Sequence, residues 1–112
     1  MEIDKILLDC GINPKRKGYF YLREAIAHRM VDGDIKLVHG IFVRVGMRHS
    51  TNYKAVERAC RTALQCAADD YGTLAAAARL GQAPRSNCYT CGDFIALAAL
   101  RCKQERGYPR AV

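Results

Sequence analysis

Lys54, Glu57, Arg58 and Arg61 are the residues whose types and spacing carry the most chemistry in this chain. Wound at 3.6 residues per turn, they fall at i, i+3, i+4 and i+7, within about 100° of arc. An arginine fork bonds guanine O6 and N7 together, which a lysine ammonium cannot do as a planar pair. A glutamate accepts from a cytosine amino group. The opposite face of the same helix carries Val56, Ala59, Cys60, Ala63, Leu64 and Ala67, apolar and mostly small. One side suited to close helix packing and one side of long, mainly cationic side chains is what a DNA recognition helix requires. The same spacing also makes Glu57 and Arg61 an ordinary i, i+4 surface pair, worth a few tenths of a kcal/mol.

The residues around this helix extend the pattern. Thr51, Asn52 and Tyr53 stand at its start, where backbone N–H groups and the helix dipole favour a phosphate. Thr51 or Asn52 also serves as the N-cap. Arg44 and Arg48, on the preceding segment, either brace the DNA backbone across the groove or form a solvated face. Lys15, Arg16 and Lys17 form a compact basic cluster beside the Asn13-Pro14 turn. They are candidate phosphate contacts, each adding about one to the salt slope of binding, or else a solubility patch.

Other chemistry is sparse. Cys88 and Cys91 form a CxxC, but a structural zinc needs four tetrahedral ligands. Neither Cys102 nor any of the three histidines supplies a second paired motif. A thioredoxin-type pair would follow a strand, and none precedes this one. The expectation is no metal and no cofactor. Cys60 reads as core and Cys66 as partly buried. His28, His39 and His49 share no helical face with paired acids. No nucleophile–base–acid set, phosphate loop or catalytic carboxylate pair is present, so the reading is not an enzyme.

The elements that must position these residues are helical. Ile3, Ile6, Leu7 and Cys10 recur at helical spacing until Gly11. A second helix runs from about Tyr19 to Val31, with Leu22, Ala25, Ile26 and Met30 on one side, and Asp32-Gly33-Asp34 breaks it. A third, Ile35 to about Arg48, aligns Ile35, Val38, Ile41, Phe42 and Val45. After the Ser50-Thr51-Asn52 turn, the recognition-like helix runs to about Asp70. A short Ala-rich helix, 73–80, ends at Gly81, and Gln82 to Tyr89 is loop. Thr90 caps a last helix from about Gly92 to Arg106, with Asp93 completing a capping box and Phe94, Leu97, Ala98 and Arg101 on its inner stripe. Gly107-Tyr108-Pro109 ends it. No segment alternates with period two. The spacing predicts an all-α domain of about six helices, with a wingless helix-turn-helix at about 39–70.

Length and charge agree with one domain spanning 1–112. Half of the 112 residues are hydrophobic, and 18 Lys and Arg against 11 Asp and Glu give a net charge of +7. That favours an anionic partner. No run approaches the 18 or so apolar residues of a membrane span, and the acids near Met1 do not suit a signal peptide. The expected location is the cytoplasm, with the cysteines reduced.

Four stretches in order resemble the DNA-binding effector domain of the sporulation-initiation response regulator family of endospore-forming bacteria. Gly18-Tyr19-Phe20-Tyr21-Leu22-Arg23-Glu24-Ala25-Ile26 resembles its GYxYLREAI signature. Val56-Glu57-Arg58-Ala59-x-Arg61-x-Ala63 is similar to its recognition-helix VERAxRxA string. Leu7 to Pro14 is similar to its L-x-x-x-G-I-x-P opening, and Phe94-Ile95-Ala96 with Arg101 and Glu105 to its final helix. The resemblance implies an all-helical transcription regulator that binds short promoter boxes, usually as tandem dimers. It also implies that Glu57, Arg58 and Arg61 face DNA. The chain differs from the pattern at Ala55, where the family usually has Arg. It differs also at His49, where an apolar residue closes the first helix of the motif, and at Gly46, usually Ala. The segment between the second and third helices is about two residues shorter. The receiver domain that normally precedes this module has no counterpart in the pattern after Met1, as expected of a free-standing paralogue or an excised domain.

The function expected from the sequence is sequence-specific binding of double-stranded DNA, with pairing of two copies on tandem sites. Lys54, Glu57, Arg58 and Arg61 would read bases. The alternative is a helical adaptor that has lost specific DNA binding and docks a regulatory protein partner. Neither reading involves a membrane.

Overall fold

A computed structural model describes residues 2–31 and 38–106. Among them the chain forms six helices: α1 (Glu2–Asp9), α2 (Lys17–Val31), α3 (Val38–Arg48), α4 (Tyr53–Tyr71), α5 (Leu74–Leu80) and α6 (Cys91–Glu105). The all-α expectation holds. The Asp32-Gly33-Asp34 break, the Ile35 start of the third helix and the Gly107-Tyr108-Pro109 end lie outside the described residues. α2 begins two residues before the predicted start, so Lys17 belongs to the helix. Thr73 and Gly92 also move: Thr73 sits before α5 as its cap position, and Cys91 rather than Gly92 opens α6.

Local chemistry explains the boundaries. Gly11 ends the α1 turn at φ +81°, and Gly81 closes α5 at φ +80°, left-handed conformations that glycine adopts without penalty. Asn52 caps α4, its side chain accepting from the Ala55 N–H at 2.9 Å. Thr90 caps α6 in the same way, accepting from the Asp93 N–H at 3.2 Å. The Asp93 carboxylate pairs with Arg85 at 3.3 Å.

α2 is the central helix, packed against both α4 and α6, while α3 packs on α4 and α1 on α6. Phe42, Phe94, Ile6, Leu22, Ile26 and Val56 are among the fully buried side chains at the centre. The predicted stripes of α1, α2 and α4 face inward, as do Ile41, Phe42 and Val45 of α3. The inner face of α6 is rotated from the predicted stripe. It buries Phe94, Ile95, Ala98, Ala99 and Cys102, and leaves Leu97 half-buried. The cause is that α6 is packed by α1, α2, α4 and α5 together, so more than one stripe goes inside. Arg101 instead turns its guanidinium onto the end of α5, donating from Nε to the Leu80 carbonyl at 2.9 Å. Arg79 joins three helices by pairing with Asp9 at 2.8 Å and Glu105 at 2.7 Å.

Two close approaches fix α4. A β-carbon on Gly18 would stand 2.3 Å from the Ala59 carbonyl oxygen, so α2 lies directly on the α4 backbone. A β-carbon on Gly46 would stand 2.7 Å from the Thr51 carbonyl oxygen, so the turn after α3 folds back against that helix. The Thr51 N–H donates to the Gly46 carbonyl at 2.9 Å, and Ser50 takes φ +55°. These contacts make α3, the 49–52 turn and α4 a helix-turn-helix.

Candidate nucleic-acid interface

The four residues predicted to read bases stand on the outward side of α4. Lys54, Arg58 and Arg61 are exposed and Glu57 is half-buried. Arg61 Nη1 donates to Glu57 Oε1 at 3.2 Å, so the i, i+4 pair forms. With the two side chains 64% and 43% exposed, that pair is screened and worth well under 1 kcal/mol. It does not lock either group away from an external partner. Lys54 and Arg58 make no ion pair among the described residues.

The start of α4 separates the roles of its flanking residues. Asn52 is the cap, and its carboxamide oxygen is committed to Ala55. Thr51 is not a cap; it is tied through its backbone to Gly46. The first-turn N–H groups of Tyr53 and Lys54 have no intrahelical acceptor, as at every helix start. The Tyr53 ring lies against His39 at a centroid distance of 4.2 Å, joining the N-terminal ends of α3 and α4. No acidic residue stands in the first turn of α4.

The Lys15-Arg16-Lys17 cluster is brought to this face by tertiary packing. Asn13 accepts from the Lys15 N–H at 2.9 Å in an Asx turn that leads into α2. All three side chains are exposed. Together with Gly18 they form one wall of an open groove of about 490 Å³, whose other wall is Ala55, Arg58, Ala59 and Thr62 of α4. Cations at a helix N-terminus oppose the macrodipole and cost a few tenths of a kcal/mol or more each. α2 also lacks any acid in its first turn. The positive field of the α2 start and of Arg58, Lys15, Arg16 and Lys17 therefore converges on one groove, which is a poor arrangement for stability and a good one for an anion.

Arg44 and Arg48 are exposed one turn apart on α3. Arg48 Nε binds Glu24 of α2 at 2.7 Å. The same carboxylate pairs with His49 Nε2, and the His49 ring packs edge-on against Tyr21 at 5.1 Å. A polar residue at the end of α3 is thus accommodated by α2, not buried. Sequence reasoning missed this cluster, because Glu24 and His49 share no helix.

Cys88 and Cys91 border a second cavity on the other side of α4. The Cys88 thiol donates to Gln65 Oε1 at 3.3 Å. Burial pushes the Cys91 thiol up to about 11, so it is protonated at neutral pH. Among the described residues no three His, Cys, Asp or Glu side chains gather to hold a metal, and no helix is long and apolar enough to cross a membrane.

The family described as sporulation initiation factor Spo0A C terminal matches residues 3–101. The match runs from the first turn of α1 into α6 and takes in the whole helix-turn-helix and the basic groove beside it. The chain belongs to the Spo0A C-terminal family, the DNA-binding domain of a sporulation regulator.

Proposed function

We propose that residues 1–112 act as a single helical domain that regulates transcription by reading promoter boxes through α4. Lys54, Glu57, Arg58 and Arg61 enter the major groove, where the arginine forks select guanine and Glu57 selects cytosine. Thr51 and Tyr53 approach a phosphate through the backbone at the helix start. Asn52 does so while capping the helix. Lys15, Arg16 and Lys17 hold the sugar–phosphate backbone, and Arg44 and Arg48 brace it from α3, Arg48 exchanging Glu24 for phosphate. Two copies bind tandem boxes, since one module contacts too few base pairs for useful specificity. The setting is the bacterial cytoplasm, at the nucleoid.

The observation that carries this reading is the groove that joins Arg58 to Lys15, Arg16 and Lys17 beside the exposed face of α4. Fluorescence anisotropy with a family-type promoter box and a scrambled duplex, at two salt concentrations, tests it. A preference for the box that survives added salt is expected. Weak binding, equal on both duplexes and erased by salt, would instead favour the adaptor that docks a protein partner.

A further inference from the structure

α4 lies as a ridge between two grooves. Arg58 borders the Lys15–Lys17 groove. Glu57, Arg61 and Gln65 border the second, of about 410 Å³, whose far side is His39 and the segment from Ser86 to Cys91. The major groove is about 12 Å wide, close to the diameter of a helix with its side chains. A helix seated there has one sugar–phosphate backbone on each side, so the two walls that flank α4 meet different strands.

The walls differ in chemistry. The first is cationic. The second offers hydrogen-bond donors: the exposed His39 ring and the Ser86 hydroxyl, which makes a long 3.4 Å bond to the Cys88 carbonyl. Arg85, next to Ser86, pairs with Asp93 at 3.3 Å with its side chain 78% exposed. A phosphate replaces such a weak, screened partner easily. Asp93, once released, remains in the first turn of α6, where the helix dipole favours a carboxylate.

We propose that Arg85, Ser86 and His39 form a second DNA-backbone contact, taking phosphates of the strand opposite the one held by Lys15, Arg16 and Lys17. This rests on α4 occupying the major groove. Phosphates position the protein without carrying sequence, so this contact contributes affinity and register but not base preference.

The test is phosphate-ethylation interference on a duplex selected by the wild-type protein from a random-sequence pool. Wild type is expected to show interfering phosphates on both strands. Arg85→Ala/Ser86→Ala should weaken interference at phosphates of one strand, and Lys15→Ala/Arg16→Ala/Lys17→Ala at phosphates of the other. The double variant should bind on the order of tenfold more weakly, with a salt slope shallower by about one. Its ratio of selected to scrambled duplex should be unchanged, and His39→Ala should weaken the same strand's contacts. Both residues of the double variant are exposed, and an unaltered melting temperature confirms folding. Wild-type affinity, slope and interference pattern in the double variant, or weakened interference on the same strand as in the triple variant, would overturn the proposal. Failure of the wild type to select any duplex would sink the DNA reading itself, and this contact with it. A selected duplex bound equally by the double variant sinks only the second contact.

Discussion

Gly18 and Ala59 are in direct backbone contact: a β-carbon on Gly18 would stand 2.3 Å from the Ala59 carbonyl oxygen and 2.7 Å from the Ala63 β-carbon. This approach seats α4 on α2 and sets the width of the basic groove, because Lys17 and Arg58 are the neighbours of the two contacting residues. Two opposed effects act on Gly18→Ala. Alanine gains up to about 1 kcal/mol of helix propensity. The clash costs about 1–3 kcal/mol, toward the upper end because a backbone carbonyl cannot rotate away. The clash wins, and the variant should be less stable by about 1–2 kcal/mol in urea denaturation. It should also bind DNA more weakly than that loss explains, since the groove widens. A variant as stable as wild type would show that α2 and α4 are not held this closely.

Ser50 stands at φ +55° in the turn between α3 and α4. A non-glycine residue there costs roughly 1–2 kcal/mol in an unassisted left-handed conformation, and asparagine is the side chain that bears it best. Ser50→Asn should therefore stabilise by about 0.5 kcal/mol, and Ser50→Val should destabilise by more than 1 kcal/mol. Denaturation midpoints at constant slope measure both. The opposite order would mean that the turn relaxes out of this conformation in solution.

The helices were legible from the chain because their signals are local. The capping of α6 by Thr90 follows from residue type and position, as does the choice of Thr51 or Asn52 for α4, which the structure decides for Asn52, and the apolar spacing of α2 and α4 matches what is buried. The inner face of α6 was not, since period 3.6 names one stripe and α6 is covered by four neighbours. For the site, the α4 set was legible as a face. Its surroundings were not: Lys17 and Arg58 share a groove because of the Gly18 contact, across a span of chain that no periodicity bridges. The Glu24 pairing with Arg48 and His49 is hidden for the same reason.

The cysteines report burial. Cys91 is pushed up to about 11 from a usual value of 9.0, with burial the main cause. Cys102 moves the same way, to about 11. Below pH 9 these thiols are neutral in both folded and unfolded chains, and their contribution to stability is fully present. Between pH 9 and 11 the unfolded chain ionises first, so stability falls across that window. Iodoacetamide at pH 8 should modify Cys66 and Cys88 before Cys91 and Cys102, read by mass spectrometry. Prompt labelling of Cys102, which is fully buried, would contradict the packing of α6.

Arg58 and the Lys15–Lys17 cluster should separate base reading from backbone holding. Arg58→Ala should cost about 1–3 kcal/mol on the selected site and relax preference at one base pair. Lys15→Ala/Arg16→Ala/Lys17→Ala should weaken selected and random duplex alike, and flatten the salt dependence by about one per lost contact. Glu57→Ala tests the pair that Glu57 forms with Arg61. If Glu57 only steadies Arg61, removing it costs the few tenths of a kcal/mol of a surface pair and leaves base preference intact. If Glu57 reads cytosine, discrimination falls at one position while affinity for random duplex rises, because a carboxylate near phosphates has gone. Anisotropy titrations on single-base variants of the selected site distinguish these outcomes. Wild-type affinity of Arg58→Ala for both selected and random duplex would remove α4 from the interface.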